Sequence, residues 1–320
     1  MSSEPADSEI ADRLLPYLRT TLRCPDLAYA EQPSRLTGGF DTLIYSFRLS
    51  GASAEMSGPL ILRVFREDNP WVTLSAPERA RFETAVQNNV AALGYPAARV
   101  LHTCEDVQPL GSSFLVMERL PGSIMLDLIF RPSRFWFRLP AILASAQAQL
   151  HSLDPDTLLL ALEKADVPSR GLSVGDWLER VQRLISYARL DGLAPGMQWL
   201  LDNRPPESER SVICHGDFHP LNILLDRGKV TGVIDWPWVR LARPEYDVGA
   251  TIAIFTQGPV DMPSFLQAVV SRGRGWFIRR YLSAYRRLCP LDSEALLYYE
   301  AVRLLGFVVE AGNHRQGAAA

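Results

Sequence analysis

The sequence predicts an α+β chain, a small antiparallel sheet followed by a larger helical part. Three observations carry that expectation. Between residues 30 and 117, short apolar runs alternate with polar turns, as in PLILRVF at Pro59–Phe65. From Ile124 onward, apolar residues recur every three or four positions, the period of helices packed by one face. Inside that helical part lies one strand-rich stretch, SVICHGDFHPLNILLDRGKVTGVIDWPW at 211–238, where two apolar runs flank DRGK in a hairpin pattern.

Residues 1–9 are polar and expected to fray. Residues 10–22 follow as a helix with Ile10, Leu14, Leu15 and Leu18 on one stripe. Residues 35–49 read as strand, turn and strand around the corner Gly38-Gly39. Such a corner is a hairpin turn more often than a phosphate clamp, yet its bare backbone can approach phosphate oxygens. No G-K-[ST] follows, so it is not a Walker A sequence.

Pro59–Phe65 is a buried strand interrupted by Arg63. A cation there requires an anion unless it faces solvent at an edge. Ser75-Ala76-Pro77-Glu78 forms a capping box with proline in the first turn, and Gly94 ends the helix it opens. Phe82, Val86, Val90 and Leu93 form the apolar stripe of that helix. Glu83 lies at the stripe's edge and is the candidate partner of Arg63; a solvated helical glutamate is the alternative. Residues 99–103 and 113–117 read as strands, after which Glu118, Arg119, Leu120 and Pro121 leave the sheet.

A helix is expected over 135–153, with Leu139, Ile142, Leu143, Ala146 and Leu150 inward. His151 at its end is expected to be a hydrogen-bonded core residue and not a catalyst. Residues 154–172 read as a looser connection. Ser173 caps a helix extending to 190, with Trp177, Leu178, Val181, Leu184, Ile185 and Ala188 on one side. A shorter helix at 196–201 and a polar linker at 202–210 precede the strand-rich stretch. Beyond it, 249–255 is an apolar helix, and 276–288 and 293–311 are long helices with one arginine-rich side, expected to be solvated.

A length of 320 residues corresponds to about two domains. Hydrophobic residues at 47% and charged residues at 22% describe an ordinary globular chain. The net charge of −3 gives no general attraction to nucleic acid or anionic membrane. Four cysteines without C-x-x-C spacing read as free thiols of a reducing compartment. With no apolar leader segment and no run near the ~20 residues of a membrane span, a cytoplasmic protein is expected.

The chemistry concentrates in the 211–238 stretch. His215-Gly216-Asp217 follows an apolar run, Asn222 stands five residues later, and Asp235 ends the next apolar run. Phosphoryl transfer needs Mg²⁺ to hold phosphates and a carboxylate to orient the attacking hydroxyl. Mg²⁺ keeps several waters, so one carboxylate and one amide oxygen are a sufficient protein share. Two other readings compete. His215 and His219 with Cys214 could bind zinc on a helix, but Gly216 and Pro220 interrupt any helix there. The acids could also merely cap turns.

This stretch resembles the H-x-D-x-x-x-x-N loop and metal-binding aspartate of protein kinases. It is still more similar to the aminoglycoside phosphotransferase family, with its H-G-D-x-H-x-x-N and I-D-W forms. Gly216 stands where the kinases have arginine, and Trp236-Pro237 where they have Phe-Gly. The resemblance implies a bilobal protein-kinase-like fold: a helical extension at 1–29, a nucleotide-binding N-lobe at 30–120, and a catalytic, acceptor-binding C-lobe at 121–320. It implies Asp217 as catalytic base, Asn222 and Asp235 as Mg²⁺ ligands, and ATP or GTP as donor. Gly38 and Gly39 would then approach the phosphates, and Arg63 would replace the phosphate-pairing lysine with Glu83 orienting it. Met117 would lie behind the base, Glu118 to Leu120 would offer hinge backbone, and Asp247 would brace the catalytic loop.

The implied acceptor is a small hydroxyl-bearing molecule, since no A-P-E segment follows Asp235 to take a protein. Acceptors of aminoglycoside, macrolide, sugar, choline, homoserine or hydroxyacyl-CoA type remain open. So do a catalytically weak nucleotide-binding module, because Arg63 replaces lysine, and an interaction protein using the arginine-rich helices.

Overall fold

Strand and helix periods in the sequence become two separate packing units. The computed structural model describes residues 7–36, 42–66, 74–129, 136–168, 171–206, 211–257 and 264–317, with the side chains of 264–271 and 313–317 excepted. One unit comprises Met1–Pro121 with Leu158–Pro168, and the other Gly122–Thr157 with Ser169–Ala320.

In the first unit, α1 (Asp7–Thr21) precedes β1 (Ala28–Arg35), β2 (Thr42–Ser50), β3 (Pro59–Phe65), α2 (Ala76–Ala92), β4 (Val100–Cys104) and β5 (Phe114–Glu118). The strands form an antiparallel sheet in the order β1-β2-β3-β5-β4. Alternation along β3 divides its side chains between two cores. Leu60, Leu62 and Val64 join Ile10, Leu14 and Leu18 of α1 on one face. Ile61 and Phe65 pack with Ala76 and Ala80 of α2, Leu115 and Met117 on the other. Arg63, two residues from each, is delivered to the α2 face.

Ser75 and Glu78 close the expected capping box, with the Ser75 N–H donating to Glu78 Oε2 at 2.8 Å. Leu93 departs from the expected stripe and is exposed. The chain reverses at Gly94 (φ +81). Tyr95 then donates its N–H to Val90 O at 3.0 Å and takes the buried place instead.

The second unit begins with β6 (Ser123–Ile124), α3 (Met125–Ile129) and α4 (Leu139–Leu150). Next in the chain comes α5 (Pro155–Lys164), which from Leu158 onward belongs to the first unit and forms where sequence reading expected a loose connection. Leu158 and Leu162, one turn apart and both buried, give this segment the apolar stripe that orders it. Then follow α6 (Val174–Tyr187), α7 (Ala194–Asp202), β7 (Val212–Cys214), β8 (Ile223–Asp226), β9 (Lys229–Val233), β10 (Arg240–Ala242), α8 (Pro244–Gln257), α9 (Ser264–Tyr285) and α10 (Ser293–Gly317).

The short strands form two small antiparallel sheets, β6-β8-β9 and β7-β10. Arg227 and Gly228 join β8 to β9 with φ +49 and +81, the left-handed pair that a two-residue hairpin requires. Helices α8 and α10 meet backbone to backbone: a Cβ on Gly249 would lie 2.8 Å from the Glu300 nitrogen. Trp136 stacks on Trp276 of α9 with ring centroids 4.5 Å apart. The four cysteines are free thiols. No described helix is long and apolar enough to cross a membrane.

Candidate active site

The site grows from the end of β7. After Cys214 the chain reverses at Gly216 (φ +81), where a Cβ would lie 2.1 Å from the Trp238 carbonyl oxygen. Only glycine fits, for both conformation and space. Fully buried Asp247, in the first turn of α8, grips this reversal. Its Oδ1 accepts the Gly216 N–H at 2.7 Å, and its Oδ2 accepts the His215 N–H at 3.1 Å and His151 Nε2 at 3.0 Å. Burial opposes the carboxylate charge, but the His151 hydrogen bond and neighbouring histidines outweigh it and hold the Asp247 pKa below its ordinary value. His151 is thus the buried hydrogen-bonding residue its sequence position suggested.

His215 is also fully buried. Its Nε2 donates to Ile234 O at 3.1 Å and its Nδ1 accepts the Asp217 N–H at 3.3 Å, partners that assign the neutral Nε2–H tautomer. Burial lowers its pKa in agreement. His219 Nε2 lies 3.1 Å from Asp217 Oδ2, and its Nδ1 accepts the Leu221 N–H at 3.3 Å. Both histidines therefore serve the loop itself.

Asp217 is enclosed by donors. Oδ2 faces His219 and Asn222 Nδ2 (3.2 Å), and Oδ1 faces Arg303 Nη2 at 3.0 Å. Burial alone would raise its pKa, but His219 and then Arg303 hold it well below the usual carboxylate value. The group is ionised at neutral pH.

Asn222 is buried and also donates to Asp217 O at 2.9 Å. With its N–H₂ turned onto Asp217, its amide oxygen is directed away. Ile234 donates its N–H to Asn222 O at 3.0 Å, tying the start of β8 to the residue before Asp235. Asp235 has φ +70, a left-handed conformation that in a non-glycine residue stores about 1–3 kcal/mol and concentrates at functional sites. One carboxylate and one amide oxygen, both hard donors, fit the protein share of a Mg²⁺ site that keeps waters and phosphates as its other ligands.

In the first unit, Arg63 Nε lies 3.5 Å from Glu83 Oε2, both side chains buried. Met117 stands opposite Ile61 in register, on the Arg63 face of the sheet. The Glu118 carboxylate grips Arg99 through Nε and Nη2 at 3.0 and 2.7 Å. The N–H groups of Glu118 and Arg119 are taken by Arg99 O and Pro59 O. Leu120 packs at the edge of the α2-side core. Gly38 and Gly39 lie outside the described residues.

Arg303 is the site residue that sequence reading missed. It was expected on a solvated face, yet it is mostly buried against Asp217 and its guanidinium lies 4.6 Å from the Phe307 ring centroid. The available signal was its place inside the apolar run AVRLLGFVV.

The family model described as "Phosphotransferase enzyme family" matches residues 34–291. Human acyl-CoA dehydrogenase family member 11 is 26% identical over 216 residues, which cover 66% of this chain and 27% of that protein. The chain thus spans about a quarter of the length of these curated relatives. Aminoglycoside 3'-phosphotransferase of Streptomyces fradiae is 37% identical over 102 residues, 31% of this chain and 34% of that one. Among solved structures, a GDP and kanamycin complex of APH(2")-IIia superposes with a TM-score of 0.59 at 15% identity, covering 95% of this chain and 94% of that chain. The fold is protein-kinase-like, and the chain belongs to the phosphotransferase enzyme family.

Proposed function

We propose that the protein transfers the γ-phosphoryl group of ATP or GTP to a hydroxyl of a small molecule. The observation that carries this reading is the ionised Asp217, tied through Asn222 to the strand pair that ends in Asp235. Asp217 accepts the acceptor's hydroxyl proton. The acceptor oxygen bonds to the γ-phosphorus as the β–γ bridging bond breaks, and a nucleoside diphosphate leaves. Asn222 and Asp235 would hold Mg²⁺, which when bound neutralises phosphate charge. Asp247 keeps the loop in position through two backbone N–H groups. Arg63, oriented by Glu83, would grip nucleotide phosphates, and Gly38 and Gly39 would approach them. Met117 would lie behind the base. With the N–H groups of Glu118 and Arg119 taken, the hinge N–H offered to a nucleotide base would be that of Leu120.

Among acceptors, similarity extends over 216 residues of the acyl-CoA dehydrogenase relative against 102 of the aminoglycoside enzyme. That favours a hydroxylated acyl-CoA as a second, narrower reading. The test is nucleotide turnover with ATP and GTP against a panel of hydroxylated acyl-CoAs, homoserine, choline, sugars and kanamycin. Acceptor-dependent release of nucleoside diphosphate, abolished in Asp217→Asn, is expected. Most of the turnover surviving that substitution would place the base elsewhere.

A further inference from the structure

Among the described residues, every side-chain donor to the Asp217 carboxylate belongs to its own loop except one. Oδ2 is shared by His219 and Asn222, which follow it closely in sequence, whereas Oδ1 is held by Arg303, 86 residues away on α10. A hydroxyl that must give its proton to Asp217 therefore competes with a guanidinium. Arg303 has a second anion within reach, since its Nη1 lies 3.8 Å from Glu310 Oε1. It also has an aromatic face to rest on at Phe307.

We propose that Arg303 selects an acceptor carrying a negative charge near its hydroxyl, masking Asp217 until that charge draws the guanidinium away. The idea rests on the phosphoryl-transfer reading and names the acceptor class of the same site.

A second, independent feature points to an anion. Arg240 is 8% exposed, its Nη1 donates to Val239 O at 2.8 Å, and its Nε has no hydrogen-bond partner among the described residues. Its guanidinium lies 5.6 Å from the Trp177 ring centroid, and Trp177 meets Trp238 edge-on at 6.1 Å. Trp238 is the residue whose carbonyl crowds Gly216, so this aromatic wall abuts the catalytic loop. Arg180, one turn along α6 from Trp177, is equally buried. Burial first, and then the charge of Arg240, bring its pKa down to about 10.

Asp176 also acts on Arg240, but its Oδ2 already accepts the N–H groups of Gly171 and Ser173 and the Ser173 hydroxyl. The buried Arg240 guanidinium, whose Nε has no hydrogen-bond partner among the described residues, is costly to keep from water unless an anion reaches it. An acceptor bearing a carboxylate or phosphate supplies one; a polycationic aminoglycoside adds repulsion.

The experiment compares kcat/KM of the full chain for three anionic probes with that for neutral glycerol and cationic kanamycin. The probes are 3-hydroxybutyrate, glycerol 3-phosphate and 3-hydroxybutyryl-CoA, which separate carboxylate, phosphate and thioester sources of the charge. At least one anionic probe is expected to exceed glycerol and kanamycin. Arg303→Gln should raise the KM for that probe roughly 10–100-fold, the value of a charge-assisted hydrogen bond. The same variant should collapse the anionic-to-neutral preference, with Arg303→Lys restoring part of it. A merely structural role would lower turnover of all acceptors alike and leave the preference intact. Calorimetric titration of the three anionic probes supplies a readout independent of turnover: binding by the wild type that weakens in Arg303→Gln supports the proposal. No binding of any anionic probe, a wild-type preference for glycerol or kanamycin, or an unchanged preference in Arg303→Gln would overturn it. Turnover restricted to kanamycin removes this proposal while leaving phosphoryl transfer in place; failure to bind ATP and GTP removes the phosphoryl-transfer reading itself.

Discussion

Arg63 Nε lies 3.5 Å from Glu83 Oε2, joining a strand cation to a helix carboxylate away from water. Removing one member of a buried pair strands the other, at about 3–5 kcal/mol. Arg63→Ala is therefore expected to destabilise the fold, raise the nucleotide KM and slow transfer together. Arg63→Lys keeps the charge and should retain much of the activity. Glu83→Gln should act in the same direction as Arg63→Ala, more weakly. Urea unfolding and steady-state kinetics check the set; wild-type nucleotide KM in folded Arg63→Ala would remove the residue from phosphate binding.

Asp217→Asn keeps shape and loses basicity. Phosphoryl transfer should fall by ~10²–10⁴, the usual range for a lost general base, with nucleotide affinity nearly intact. Single-turnover kinetics beside a nucleotide titration separates the two quantities.

Asp235→Ala should abolish the Mg²⁺ dependence of nucleotide binding, because it removes the one carboxylate assigned to the metal. Asn222→Ala should weaken metal affinity less, as a neutral amide contributes less charge. Titration of nucleotide with and without Mg²⁺ distinguishes them, and unchanged Mg²⁺-dependent affinity in Asp235→Ala would move the metal site.

Acid should weaken the fold. The pKa values of Asp217 and Asp247 are both depressed from the ordinary 3.8. Groups lowered in the folded state contribute stability that is fully present above the unfolded pKa and lost as pH falls through the folded one. Urea midpoints should stay level in this respect from neutrality to about pH 5 and fall below about pH 4. Asp247→Asn should flatten part of that fall. An acid limb of kcat/KM near pH 6 would have to come from another group than Asp217.

Gly216→Ala places a Cβ where the Trp238 carbonyl stands, at a φ that side chains avoid. The loop must move, so turnover should drop by orders of magnitude while Arg63-dependent nucleotide contacts persist. Near-normal kcat would show that the reversal tolerates a side chain.

The parts of the site legible in sequence are those made locally. Asp217, Asn222 and Asp235 fall within 19 residues, and the strand–turn–hairpin pattern ties Asn222 both to Asp217 and to Ile234, the residue before Asp235. Arg63 was legible because a charge inside an apolar strand demands a partner, and a capped helix with Glu83 on its edge follows directly. Leu93 misled because the stripe continues by period while the chain turns back at Gly94. The α5 segment was missed because only Leu158 and Leu162 mark its inner face. Arg303 was out of reach for a different reason. Its partner is 86 residues away, and an arginine on a long helix is ordinarily solvated.

The contact at Gly249 turns one hydrogen atom into a spacer between α8 and α10. Asp247 lies two residues before it on α8, and Arg303 lies three residues beyond Glu300, the point on α10 that Gly249 touches. A single methyl at 249 would wedge the helices apart, shifting the anchor of the catalytic loop and the guanidinium on Asp217 together. On the proposal made for Arg303, Gly249→Ala is therefore expected to alter acceptor choice from a distance, without changing any group that meets substrate.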